Sequence, residues 1–252
     1  MSIHKIGNIK NSECNKTHLD IEHALERGIV HRDYIAHCLC WSHVLKYMKI
    51  NSIVVDVGCA DAPLAQVLYT NRYRPEYYGT DIRTNMLEKA NSRKYHKELD
   101  FFNMDITRSK IPLNDNFADI VVCFEVIEHI QTKNLDFVLQ EIQRIIKNDG
   151  TILLSTPNYD FKHQAKNHIH EYTEQELAGF LCKYFTIIKK YGTFASQSDL
   201  LPGLSQNDRS LFDQLSKYYD SNFLSIILAP SYPSLSRNIL WVLKKHISTG
   251  VK

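Results

Sequence analysis

Ser52-Ile53-Val54-Val55-Asp56-Val57-Gly58-Cys59-Ala60-Asp61-Ala62 decides the fold of this chain. Its first six residues are a short, mostly apolar and β-branched run ended by glycine, the pattern of a parallel strand buried on both faces. A tight turn of small residues follows, and Leu64 to Thr70 then reads as a short helix. A strand that passes through such a turn directly into a helix is the nucleotide-binding corner of a doubly wound α/β fold. In such folds ligands sit beyond the carboxyl ends of the strands.

Reading outward from this corner extends the pattern in both directions. Upstream, Tyr34, Ile35, Cys38, Trp41, Val44, Leu45 and Met48 recur at steps of three and four, which predicts an amphipathic helix over Arg32 to Met48. Residues 1–30 are polar and aperiodic, as expected of a mobile arm. Downstream, strands are expected over Tyr77–Ile82, Leu99–Met104, Ala118–Phe124, Thr151–Ser155, Phe185–Lys190 and Asn238–Lys244. Helices are expected over Met86–Ser92 and Asn134–Lys147, the latter stopped by an Asp149-Gly150 turn. Another helix opens at Thr173, where Glu176 completes a capping box. The expected architecture is one α/β domain over residues 31–252, a doubly wound, seven-stranded, mostly parallel sheet of Rossmann-like type. The N-terminal helix and an insertion over residues 196–234 form its lid, with a helical pattern near Leu211 to Phe223.

The bulk properties narrow the class without naming a ligand. The chain has 252 residues, 44% hydrophobic and 23% charged, enough for a sizeable core. A formal net charge of +2 expresses no general preference for polyanions. No apolar run is long enough to span a membrane, and Met1-Ser2-Ile3-His4-Lys5 lacks the features of a signal peptide, which points to the cytoplasm. Six cysteines without a Cys-x-x-Cys pair fit reduced thiols better than a disulfide framework or a zinc cage.

The corner itself selects the ligand. A dinucleotide requires Gly-x-Gly-x-x-Gly so that backbone N–H groups can approach a pyrophosphate. Here Ala60 and Ala62 replace the later glycines, and Asp61 puts negative charge where phosphate would lie. S-adenosyl-L-methionine (SAM) has no phosphate, and its ammonium and sulfonium suit an acidic corner. Asp56 can hold charge near the ammonium, and Gly58, Cys59 and Ala60 bring backbone close to the ligand. Asp81, at the end of the second strand, can accept from both ribose hydroxyls, with Ile82 beside it. Asp105 can accept from the adenine amino group while Met104 and Ile106 pack near the ring. Phe124 and Glu125 close the pocket from the end of the fourth strand.

These motifs, Val54 to Leu64, Gly79-Thr80-Asp81, Asn103-Met104-Asp105, Phe117 to Val121 with Glu125-Val126-Ile127-Glu128-His129, and Ser155 to Asn158, resemble the ordered motifs of the class I SAM-dependent methyltransferase family. The resemblance spans roughly residues 50–192. It implies a transferase that carries a methyl group onto an acceptor oxygen or nitrogen and releases S-adenosyl-L-homocysteine.

On the acceptor side, Glu125-Val126-Ile127-Glu128-His129 is read as the start of a helix, its acids and histidine sharing one face. His163, His168 and His170 crowd a later segment expected to return over the same mouth. Three readings stay open. Glu128 and His129 are packing residues; or His129 or a loop histidine such as His168 is a general base with Glu128 nearby; or Glu125, Glu128, His129 and His168 resemble the two-Glu, two-His metal cluster of small-RNA 3′-terminal 2′-O-methyltransferases. The motif Glu-x-x-Glu-His equally resembles that of small-molecule O-methyltransferases of ubiquinone biosynthesis. A small-molecule acceptor is favoured and a divalent metal is not. A nucleic-acid acceptor would need Lys162, Lys166, Lys189 and Lys190 as a basic rim, and a SAM-binding protein without catalysis is the remaining class. Tyr218, Tyr219, Phe223 and Tyr232, with Arg237, are candidates for clamping the acceptor.

Overall fold

In the computed structural model, which describes residues 32–93, 99–161 and 164–246, the expected alternation of helices and strands is present. Helix α1 (Arg32–Tyr47) precedes β1 (Ile53–Val57), α2 (Pro63–Thr70), β2 (Glu76–Asp81), α3 (Thr84–Ser92), β3 (Asp100–Asn103) and β4 (Ala118–Phe124). Then come α4 (Thr132–Ile145), β5 (Ile146–Pro157), α5 (Glu174–Leu181), β6 (Phe185–Phe194) and, after three short helices, β7 (Asn238–Lys245). The arm expected over residues 1–30 lies outside the described residues, as do Lys162 and His163.

The seven strands form one sheet in the order β3-β2-β1-β4-β5-β7-β6. The β1–β2, β1–β4, β2–β3 and β4–β5 pairs are parallel, while β7 pairs antiparallel with both β5 and β6. Chain order reverses beside β1, with β2 on one side and β4 on the other. That crevice is where a doubly wound sheet receives its ligand.

Period-two alternation explains how one sheet carries two cores. Val54, Ile120, Val122 and Leu153 face α1 and α2, whose Cys40, Trp41, Val44, Leu64, Ala65 and Leu68 are buried against them. Val55, Val57, Val121, Cys123, Ile152 and Leu154 face the opposite way, toward α4 and α5. Helix α4 presents Leu135, Val138, Leu139, Ile142 and Ile145 at steps of three and four, all buried in that second core. Each such side chain contributes roughly 1.5–3 kcal/mol of transfer free energy, so α4 is held mainly by this stripe. Thr173 Oγ1 accepts from the Glu176 N–H at 3.2 Å, so the expected cap starts α5.

Two local expectations differ from what is observed. Asp149-Gly150 does not form a turn: α4 ends at Ile145 and the chain is extended from Ile146. The N–H groups of Asn116 and Phe117 donate to the carbonyls of Arg144 and Ile145, and Ala118 pairs with Ile146, so pairing with the start of β4 ends the helix early. A register shift between Ala118 and Ile120 accompanies this, and a Cβ on Gly150 would lie 2.6 Å from the Ile146 side chain. Second, the helical pattern near Leu211 to Phe223 divides into α7 (Gln206–Leu215) and α8 (Ser221–Leu228), after the one-turn α6 (Gln197–Leu200). This segment has a small core of its own around Ala195, Leu200 and Ala229.

Candidate active site

A cavity of about 1270 Å³ opens at the carboxyl ends of the central strands. Its wall contains every residue expected on the cofactor side: Asp56, Gly58, Cys59, Ala60, Asp81, Ile82, Met104, Asp105, Ile106, Phe124 and Glu125. Glu128, His129 and His168 line the same space. Helix α1 adds Ala36, His37, Cys40 and Trp41, and Thr193, Phe194, Arg237 and Asn238 approach from β6 and β7. No described residue between 196 and 234 is in the wall, although that segment is flanked by Phe194 and Arg237, which are.

The corner after β1 is built from left-handed backbone. Gly58, Ala60 and Ala62 have φ of 75°, 51° and 58°. The N–H groups of Gly58 and Cys59 both donate to the Thr80 carbonyl, tying the turn to β2. A Cβ on Gly58 would lie 2.4 Å from Val126 Cγ2, so glycine is demanded by space as well as by φ. The two alanines hold the same conformation at a cost of about 1–2 kcal/mol each. Pro63 then starts α2 with its φ already set for a helix.

Asp56 is buried at the end of β1, and the Tyr77 hydroxyl donates to its Oδ2. Burial pushes its carboxyl up to about 7; the Tyr77 hydrogen bond opposes this and the Asp81 charge adds to it. Asp81 is differently placed. Its Oδ1 accepts from the Arg83 backbone N–H and Nε, at 2.8 and 3.0 Å, and its Oδ2 from the Ala60 N–H and Arg83 Nη2, at 2.8 and 3.0 Å. Burial alone would raise its pKa, but the bonds and charge of Arg83, with the Ala60 N–H, hold it below the ordinary value. Both oxygens of Asp81 are therefore occupied, and ribose hydroxyls would have to take the place of the Arg83 guanidinium. Asp105 lies two residues past β3, its Oδ1 bonded to the backbone and hydroxyl of Thr107. The Asp61 charge does not face the cavity unneutralised: Arg93 and Lys89 pair with it at 2.7 and 2.8 Å. It thus anchors the turn to α3 and its end, and the bare negative charge expected at this corner is met by two cations.

Glu125 to His129 do not form the helix expected of them. Glu125 has φ of 55°, a 3₁₀ turn spans Ile127–His129, and α4 begins only at Thr132. The Glu125 side chain is tied to the sheet instead. It accepts from Ser155 Oγ and Asn238 Nδ2, both at 2.7 Å, so it bridges β5 and β7. The cluster that does assemble is Glu128, His129 and His168, with one ligand atom from each within 4.8 Å of the others. Glu128 is buried, and Thr156 Oγ1 donates to its Oε2 at 3.0 Å, while its buried Oε1 has no partner. Burial and the neighbouring Glu125 raise its pKa well above the usual carboxylate range. Burial lowers the His129 pKa, so this imidazole is neutral at pH 7.

The loop after β5 does return over the mouth, held by the N–H groups of Ile169 and His170 donating to the Glu128 carbonyl. His170 points away, paired with Glu176 and packed on Tyr172. Of the basic rim, Lys166 lines the cavity, whereas Lys190 pairs with Glu174 and Lys189 packs over the Tyr191 ring. Tyr218, Tyr219 and Phe223 face solvent, Tyr232 donates to Asp208, and only Arg237 of that group reaches the wall. Sequence reading gives no role to Arg83, to Glu171 or to Thr80, which enters only as part of a motif. The dipeptide spacing Asp81-x-Arg83 was a usable signal for the first, whereas the others gave none.

The cavity fits a polar ligand rather than a purely apolar one. Two buried polar atoms in its wall, Thr80 Oγ1 and Glu128 Oε1, lack a hydrogen-bond partner, an arrangement a ligand would complete. No helix among the described residues is long and apolar enough to cross a membrane, and no disulfide joins the described cysteines.

Comparison with known proteins agrees with the geometry. Residues 55–154 match the family model described as a methyltransferase domain. The ubiquinone biosynthesis O-methyltransferase of Rickettsia typhi is 29% identical over 140 residues, 53% of this chain and 53% of that protein. The chain spans about half the length of the curated relatives it matches. Among solved structures, a SAM-dependent methyltransferase from Archaeoglobus fulgidus superposes with a TM-score of 0.60 at 16% identity, covering 91% of this chain and 100% of that one. The [4+2]-cyclase SpnF superposes with a TM-score of 0.58 at 14% identity, covering 82% and 81%. At such identities these superpositions establish the shared fold.

Proposed function

We propose that this chain, whose residues 55–154 match the family model described as a methyltransferase domain, transfers a methyl group from S-adenosyl-L-methionine to an oxygen or nitrogen of a small-molecule acceptor. The observation that carries the reading is the single cavity in which the acidic corner of β1 and β2 meets Glu128, His129 and His168. A hydroxyl is the favoured acceptor atom, in keeping with the O-methyltransferase named above.

When bound, the cofactor supplies a methyl group already activated by a positive sulfur. The work left to the chain is alignment, exclusion of water and removal of one proton. Asp56 and the left-handed turn hold the amino-acid end, Asp81 takes the ribose once Arg83 yields, and Met104 and Ile106 pack the adenine near Asp105. Neutral His129, or His168 beside it, removes the acceptor proton as the methyl arrives. Helix α1, through His37 and Trp41, and the 196–234 segment, through its flanks Phe194 and Arg237, form the lid.

Calorimetry with SAM and with S-adenosyl-L-homocysteine, followed by transfer of labelled methyl to a panel of phenols, catechols and amines, tests this directly. Absence of binding by both compounds overturns it. Binding without transfer to any acceptor class leaves the SAM-binding alternative, and the fold hosts a protein named as a cyclase. A steep fall of acceptor binding with added salt would instead favour nucleic acid.

The Glu128, His129 and His168 cluster supports a second reading, in which these three hold a divalent cation that polarises the acceptor hydroxyl. Chelation separates the two: activity that survives removal of metal supports the general-base reading, and activity lost and then restored by added Mg²⁺, Mn²⁺ or Zn²⁺ supports the second.

A further inference from the structure

Glu171 has no part in the roles above and Arg237 only that of a flank, yet the two form a fully bonded charge pair beside the cavity, its carboxylate side buried. Glu171 is 1% exposed. Its Oε1 accepts from the Ala165 N–H at 2.9 Å and from His168 Nδ1 at 2.7 Å, and its Oε2 from Arg237 Nη2 at 2.6 Å. Arg237 Nη1 donates in turn to the Asn158 carbonyl at 3.0 Å, and the Arg237 carbonyl accepts from the Asn158 N–H at 2.7 Å. Burial would raise the Glu171 pKa, but His168, the Ala165 N–H and Arg237 outweigh it, so the group is a carboxylate.

A carboxylate can only accept, so the hydrogen between Glu171 and His168 belongs to His168 Nδ1. His129 is constrained in the same sense, because its Nδ1 lies 3.1 Å from the Asn167 carbonyl, another pure acceptor. With Nδ1 as the donor, either ring in its neutral form keeps a bare Nε2. The two rings pack edge to face with centroids 4.9 Å apart, and both belong to the cavity wall.

We propose that Glu171 and Arg237 are positioning residues: together they fix His168 as the Nδ1–H tautomer, leave its Nε2 bare for an acceptor proton, and tie Asn158, Ala165 and His168 to the start of β7. The part concerning the acceptor rests on the methyl-transfer reading; the tautomer and the ties do not. Arg237 links the two ends of the device, since one guanidinium holds both the beginning of the loop, at Asn158, and the carboxylate that orders its end.

The experiment reads the tautomer by long-range ¹H–¹⁵N correlation of ¹⁵N-labelled imidazoles in the full chain at mildly alkaline pH. His168 is assigned by the signal lost in His168→Gln. The expected spectrum shows His168 protonated on Nδ1 and bare on Nε2. In Glu171→Gln, whose amide can also donate, the opposite tautomer should appear, and kcat should fall about 10- to 100-fold, while the Kd for SAM and the acceptor KM stay within about threefold. Arg237→Lys, which keeps the charge but loses the fork, should give a smaller fall of the same kind. An Nε2–H tautomer in the wild-type chain overturns the proposal whatever the variants do. So does a Glu171→Gln protein with unchanged tautomer and unchanged kcat. Because the wild-type spectrum needs neither cofactor nor acceptor, a chain with the expected tautomer and no methyl transfer would refute the proposed function while leaving the positioning arrangement standing.

Discussion

Substituting Asp56 by asparagine should move the stability of the ligand-free protein, relative to the wild type, in the variant's favour as pH rises. The carboxyl of Asp56 is buried at the end of β1 and titrates at about 7, against an ordinary value of 3.8. The unfolded chain releases this proton near pH 4 and the folded chain keeps it to about 7. Over that window the folded state binds more protons, so the stabilisation is complete below the unfolded value and is lost as pH rises through the folded one. With about 1.36 kcal/mol per pKa unit, the loss from this group between roughly pH 5 and pH 8 is about 2.5 kcal/mol. Asparagine cannot ionise, and its carbonyl can still accept from the Tyr77 hydroxyl; whatever its buried amide costs does not vary with pH. Urea unfolding of wild type and Asp56→Asn at both pH values isolates the effect, because all other titrating groups are common to the two proteins. The difference in unfolding free energy should move toward the variant by about 2.5 kcal/mol from the lower to the higher pH. A difference constant to within about 0.5 kcal/mol, or one moving the other way, would refute the reasoning that burial governs this carboxyl. The same variant should bind SAM more weakly at pH 8, since the ammonium loses its carboxylate.

Asp81→Ala should weaken SAM binding by on the order of 1.5–3 kcal/mol, read by calorimetry, because the ribose loses a charged acceptor; unchanged affinity would place the ribose elsewhere. Ala62→Gly should raise the midpoint of urea unfolding, reversing the usual effect of glycine, by up to about 1 kcal/mol of relieved left-handed strain. Gly58→Ala should cost about 1–3 kcal/mol in the same assay and reduce SAM affinity as well, since its Cβ would strike Val126.

The sheet was legible because its signals are local. Runs such as Ala118 to Phe124 and the α4 stripe announce their period directly, and every strand expected from the sequence is present. The β1 corner was legible for the same reason, since its residues are contiguous. What escaped was of two physical kinds. Left-handed conformations at Ala60, Ala62 and Glu125 carry no cue in composition, because the residue types that usually mark them, glycine and asparagine, are missing. As a result Glu125 was placed beside Glu128 on a helix that does not form there. The second kind is side-chain pairing between distant segments. Asp61 with Arg93, and Glu171 with Arg237, join residues 32 and 66 positions apart, and no periodicity encodes such contacts.

The insertion of β7 between β5 and β6 has a consequence for biosynthesis. Neither neighbour has its partner until residues 238–245 have left the ribosome, although β1 to β5 can already associate with one another. A nascent chain halted before that point would present two open strand edges, each a template for pairing with another chain. Vectorial folding therefore ends with a late keystone, and translation arrest or truncation within residues 238–245 should drive aggregation rather than yield a smaller folded protein.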